Sequence, residues 1–166
     1  MRVIRTTGYA IDKDVDVAVN SANGYLLHDT SGAGRIRELS EPLNQQEIKT
    51  YTRLLEELPQ PVRDLYIRMS IKHKWIPTYA LLSSVRLLLR RDNVHYSRGE
   101  AVLDEHWSKK NPKKVIHAIA MTYALGKTTR RRVPASAHSI KYALRHAFII
   151  AGQMNVKSIA FPVPAA

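Results

Sequence analysis

Asn20 and Asn23 close an alternating run in which Val15, Val17 and Val19 interleave with Asp14, Asp16 and Ala18, and the small residues Ser31, Gly32, Ala33 and Gly34 follow shortly after. A carboxamide donates and accepts at once, so it suits a sugar hydroxyl. A small-residue loop leading from a strand into a helix turns backbone N–H groups and a helix N-terminus toward a diphosphate. The asparagine amides and the small residues behind them could supply both contacts.

Other chemistries find less support. Cysteine is absent, which excludes a disulfide framework, a thiol nucleophile and Cys-ligated metal sites. The seven histidines are dispersed, and none makes the i, i+4 pair with a Glu that a zinc hydrolase needs, so no metal and no cofactor is expected. His117 sits on an apolar strand and reads as a satisfied core histidine, and His73, His138 and His146 as surface or packing residues. Glu100, Asp104 and Glu105 are expected to be solvated. Gly126-Lys127-Thr128 resembles the end of a phosphate-binding P-loop, but Met121 stands where that loop needs its first Gly.

Charge points to anions. Lys and Arg number 26 against 14 Asp and Glu, a formal charge of +12 on 166 residues, which favours polyanionic partners through counterion release. Clusters lie at Arg86/Arg90/Arg91, Lys109/Lys110/Lys113/Lys114 and Arg130 to Arg132, with Trp107 and Tyr123 close to two of them. Aromatics beside basic groups suit single-strand stacking, although the spacing matches no nucleic-acid motif and a solvated basic surface is the plainer reading. No apolar run reaches the roughly 20 residues of a membrane span, and the N-terminus lacks the apolar stretch of a signal peptide, so a soluble, cytoplasmic protein is expected.

The positioning elements follow from periodicity. The valine run predicts a strand ending at Asn20, a loop through Gly34, and a helix beginning at Arg35. Apolar positions from Leu43 to Arg91 predict three helices broken near residues 59 to 61 and 75 to 77, with Pro61 and Pro77 in first helical turns. Ala101 to Glu105 and Val115 to Met121 predict strands. Ser136 to Met154 predicts a helix capped by Ser136, and Val156 to Phe161 a last strand stopped by Pro162 and Pro164. Strands alternating with helices imply an α/β layered fold in one domain.

Four strings in order resemble the macro domain family. Val19-Asn20-Ser21-Ala22-Asn23 is similar to its Asn-Ala-Ala-Asn signature, Gly99-Glu100-Ala101-Val102 to its Gly-Glu-Ala element, Lys114-Val-Ile-His117 to its Val-Ile-His strand, and Ser139 to Pro162 to its helix and Ser-Ile-Ala-Phe-Pro strand. They cover roughly residues 8 to 40 and 98 to 164. The resemblance implies a three-layer α/β/α domain with a mixed sheet, spanning 1–166 with a helical insertion or lid over about 40–98. It also implies binding of ADP-ribose, which some members remove from proteins, nucleic acids or its acetyl ester.

The same resemblance marks departures. Tyr9 stands where the family usually has an Asp for the adenine amino group, Asp29-Thr30-Ser31 replaces glycines, and Ala33 stands where hydrolytic members carry an Asp. The family continues into a second glycine-rich loop, whereas this sequence ends at Ala166, so either the chain runs further or that loop is absent. Two functions stay open. One is binding of ADP-ribose or a related nucleotide diphosphate by Asn20, Asn23, Tyr25, Ser31, Gly32, Ala33 and Gly34, with or without ADP-ribosyl hydrolysis in which Asn23 would be catalytic. The alternative is a degenerate macro fold serving as a basic module for nucleic acid or poly-ADP-ribose, and an oligomer paired through the insert or an open sheet edge is a further expectation.

Overall fold

The structure, a computed structural model, describes residues 4–29, 31–126 and 130–162. Lys127, Thr128 and Pro164 of the strings above lie outside the described residues.

The alternating valines form a strand, but it is displaced along the chain. β1 is Val17–Asn23, so Val15 precedes it and the loop expected at Asn20 is strand instead. The reason is its neighbour. β3 (Lys114–Leu125) pairs with β1 in parallel, setting Asn20 beside His117 and Ala22 beside Ile119, and so offers backbone partners that local sequence does not advertise. β2 (Ala101–Asp104) lies antiparallel to β3, and β5 (Ile159–Ala160), shorter than expected, pairs with β1 in parallel. β4 (Arg130–Val133) also pairs with β3, antiparallel over Thr122 to Leu125. The sequence reading missed β4 because its three arginines are all exposed and carry no alternation. The strand order is β2-β3-β1-β5, with β4 joined to β3.

Side chains alternate across a sheet, so the two faces recruit different partners. Val17, Val19, Ile116 and Ala118 face α5 (Ala137–Gln153), which lays Ala143, Ala147 and Ala151 on them. Alanines four apart fall on one helical face and let helix and sheet approach closely. Ser136 caps α5 as expected, in a reciprocal capping box with Ser139. On the other face, Ala18 and Val115 pack with Ile11, with Ile36 of α1 (Ser31–Leu39), with Trp107 and with Ala80.

The helical stretch divides close to where its prolines suggest: α2 (Gln45–Glu57), α3 (Gln60–His73) and α4 (Tyr79–Leu89). Asn44 and Glu47 form a capping box at α2, and Pro61 lies in the first turn of α3. Pro77 does not lie in a first turn; it precedes Thr78, whose hydroxyl caps α4. The segment packs into the body of the molecule. α4 is buried over most of its length, and the helices share one apolar cluster with Ala22, Leu26, Leu27 and Ile119 of the sheet and its loop. The molecule thus has three layers, α5, a mixed sheet, and a second helical layer of α1 with α2, α3 and α4.

Gly24, just past β1, lies against the Tyr96 segment and β3 with no room for a side chain. Its carbonyl accepts from the Tyr96 N–H at 2.9 Å, and a Cβ at this position would collide with the Tyr96 carbonyl and the Thr122 hydroxyl. Gly24→Ala is therefore expected to destabilise the fold by about 1 to 3 kcal/mol, the usual range for overpacking, read as a lower urea midpoint with an unchanged slope. An unchanged midpoint would show that the turn can move away from Tyr96.

Candidate functional site

Asn20 stands on the face of β1 that looks toward the second helical layer, and it is buried. Its Nδ2 donates to Nδ1 of His117 at 3.1 Å. His117, the core histidine expected from the sequence, is fully buried, and its Nε2 donates to Oδ2 of Asp104 at 2.9 Å. The other carboxylate oxygen accepts from the Ser83 hydroxyl at 2.6 Å and from the His106 N–H at 3.1 Å. One hydrogen-bonded chain thus crosses β1, β3, β2 and α4.

Asp104 was expected to be solvated, and the structure corrects this: it is 1% exposed. Pairing of β2 with β3 carries the end of β2 under α4, which sequence alone does not reveal. Burial by itself raises the pKa of a carboxyl group, but the hydrogen bond and positive potential of His117 together with the Ser83 hydroxyl outweigh it, and Asp104 is held below its ordinary value. Glu100 is also less solvated than expected, being partly buried and paired with Arg91 at 2.7 Å. Glu105 is exposed as read, with Lys114 at 3.6 Å.

Beside this chain lies His28, fully buried, with its Nε2 2.8 Å from the Ser84 hydroxyl and its ring centroid 5.3 Å from that of His117. Burial, and then the neighbouring His117, pull its pKa down to about 3, so the imidazole is neutral near pH 7. Its Nδ1 has no hydrogen-bond partner among the described residues.

The second asparagine has a different task. Oδ1 of Asn23 accepts from the N–H groups of Tyr25 and Leu27 at 3.0 and 3.2 Å, and its Nδ2 donates to the Leu27 carbonyl at 2.9 Å. This is an Asx-type turn that fastens the chain as it leaves the sheet. The β1/β3 register shifts between Ala22 and Asn23, a bulge that re-aims the Asn23 side chain. Tyr25 joins the same turn through its N–H, while its carbonyl accepts from the Tyr66 hydroxyl at 2.5 Å.

α1 begins at Ser31, earlier than the Arg35 start expected, so Gly32, Ala33 and Gly34 form its first turn rather than a loop. A Cβ on Gly32 would lie 3.5 Å from Asn20 Oδ1, which places the carbonyl end of that amide against the turn. Ala33 and Gly34 are buried. The structure therefore brings Asn20 to the start of α1, and joins Asn23 and Tyr25 to each other. Tyr9 is 45% exposed, just before a short 3-10 turn (Ala10–Asp12).

Sequence reasoning missed Asp104, Ser83, Ser84 and His28 as site supports, although each is a polar residue beside or within an apolar run. It also missed Arg37, whose Nε donates to the His28 carbonyl at 2.8 Å and whose guanidinium lies 4.7 Å from the centre of the Trp75 ring. Trp75 follows α3, so the helical segment reaches across to α1. Chemically the buried chain is a positioning device. The Ser83 hydroxyl donates to Asp104 and not to His117, so the chain holds no serine–histidine contact. Among the described residues, no group of three or more His, Cys, Asp or Glu is arranged to hold a metal, and no helix is long and apolar enough to cross a membrane.

The depressed pKa of His28 has a sign. Between about pH 6.5 and about pH 3 the unfolded chain binds a proton that the folded chain refuses, so stability falls as pH falls through that window. Urea midpoints measured from pH 7 to pH 4 are expected to drop more steeply for the wild type than for His28→Met. Parallel profiles would remove His28 as the source of the acid sensitivity.

No family model matches the chain, and no curated protein matches it in sequence. Among solved structures it is similar to the macrodomain of Mycobacterium tuberculosis DarG, with a TM-score of 0.52 and 12% identity over 95% of this chain and 72% of that one. The layers, the mixed sheet and this similarity agree with the expectation drawn from the four sequence strings: the chain has a macrodomain fold.

Proposed function

We propose that the surface where Asn20 meets the first turn of α1 binds ADP-ribose or a related nucleotide diphosphate. One observation carries this reading: the Asn20 amide is locked from behind by the buried His117 and Asp104, with its carbonyl end against the N-terminal turn of a helix. An amide fixed before the ligand arrives loses little entropy on gripping a hydroxyl, and the helix start offers unpaired N–H groups and the positive end of its dipole to a diphosphate. The macrodomain fold supports the same ligand class.

Asn23 and Tyr25 shape the turn beside this surface, so Asn23 is a positioning residue on this reading. An amide cannot abstract a proton, and Ala33 offers no carboxylate. Binding is therefore the core of the proposal, and ADP-ribosyl hydrolysis is an extension in which Asn23 would hold the loop while water attacks. Residues 40–98 read as an insertion whose Trp75 roofs Arg37 beside the site.

One observation favours a second reading, a basic module for nucleic acid or poly-ADP-ribose. The three arginines of β4 are exposed in succession, and Arg130 lies 4.7 Å from the centre of the Tyr123 ring. Such a surface binds phosphates with an affinity that falls steeply with salt and ignores Asn20.

Calorimetric titration with ADP-ribose at two salt concentrations tests the first reading against the second. Saturable binding is expected, weakened about tenfold or more in Asn20→Ala, or roughly 1.4 kcal/mol, with a similar loss in Asn23→Ala. No heat at millimolar ligand, or an Asn20→Ala variant that binds as the wild type does, would overturn it. In that case nucleic-acid binding lost on replacing Arg130 to Arg132 would establish the second.

A further inference from the structure

We propose that the cleft between α4 and the end of β2 is a separate anion site that takes the phosphate group of a small phosphomonoester. The cleft holds about 230 Å³ and presents Arg86 and Arg90 at its mouth. Residues four apart on a helix lie on one face, and Arg86 and the C-cap residue Arg90 both line this cleft. Both side chains are exposed, and among the described residues neither makes a hydrogen bond or an ion pair.

Two guanidiniums on one helix face repel each other, and Glu47, whose carboxylate feels Arg86, already accepts from the Tyr79 hydroxyl and the Asn44 N–H, so an incoming dianion relieves a repulsion that Glu47 only partly offsets. The carboxylates nearby do not serve. Glu105 is paired with Lys114, and Asp104 on the floor already accepts from Ser83, His106 and His117. Guanidinium forks match phosphate oxygens in bidentate geometry, which favours phosphate over a spherical anion. Leu87 and Leu103 give the cleft an apolar wall suited to the carbon portion of an ester. Its volume is below the roughly 300 Å³ at which pockets for larger ligands begin, so it suits a phosphate group with a short substituent and not a whole nucleotide. The two arginines are not part of the Asn20 surface, although Ser83, Asp104 and His106 at the back of the cleft belong to the hydrogen-bonded chain that supports it, so the inference rests on the arginines and not on the nucleotide-binding proposal.

The test is a 31P NMR titration with inorganic phosphate and with phenyl phosphate at constant ionic strength, using the whole chain. Saturable binding to the wild type is expected, with phenyl phosphate the tighter of the two. Arg86→Gln with Arg90→Gln should weaken it at least tenfold at an unchanged melting temperature, Arg86→Lys with Arg90→Lys should fall between, and Asn20→Ala should leave it as it is. Absence of saturable binding to the wild type would overturn the proposal, as would a lysine pair and a glutamine pair that both bind like the wild type. Loss in Asn20→Ala equal to that in the arginine variants would also overturn it, by showing that phosphate reports the nucleotide surface. Failure of ADP-ribose to bind would leave these outcomes untouched.

Discussion

A carboxylate with almost no exposure to water must be surrounded by donors, and Asp104 obtains them from three separate places: His117 on β3, Ser83 on α4 and the N–H of His106 just beyond β2. A buried charge without partners costs several kcal/mol, so these contacts are mutually obligatory. His117 then passes the constraint to Asn20 on β1. Three strands and one helix are thereby held in a single arrangement by groups that tolerate no slippage. A sheet register defined only by valines and alanines would be less strictly specified, because apolar side chains accept many neighbours of similar size.

The two sheet faces divide their labour. The α5 face is built mainly from alanines, valines and Ile116, with the Ser139 hydroxyl donating to the Ala120 carbonyl at 2.8 Å, so most of what it contributes is burial. The opposite face mixes apolar packing with the polar chain, and its covering layer includes the long helical segment whose α4 supplies Ser83 and Ser84. Those serines are buried, and their hydroxyls meet Asp104 and His28. The helical segment is thus tied to the candidate site by hydrogen bonds as well as by packing.

The two asparagines illustrate how one sequence string separates into two jobs. Asn20 is inside a paired strand, its backbone held by the sheet, which leaves its side chain to span between His117 and the start of α1. Asn23 stands after the register shift, where the backbone turns away from the sheet and its own N–H groups need acceptors. Its amide is spent on those groups. On the proposed reading, the strand asparagine presents the binding surface and the turn asparagine shapes its rim.

Much of this was legible in the sequence. The α/β class, the helix breaks near Pro61 and Pro77, the Ser136 cap and the core character of His117 follow from periodicity, backbone restriction and capping chemistry, all of which act within a few residues. The resemblance carried by four short strings anticipated the fold itself. Other features were decided only by the tertiary structure: the length of β1, the existence of β4, the early start of α1 at Ser31 and the burial of Asp104. Each depends on a partner far along the chain, β3 for the strands and α4 for the carboxylate. Whether a backbone group or a charge is satisfied is a property of the space around it, and local sequence does not contain that space.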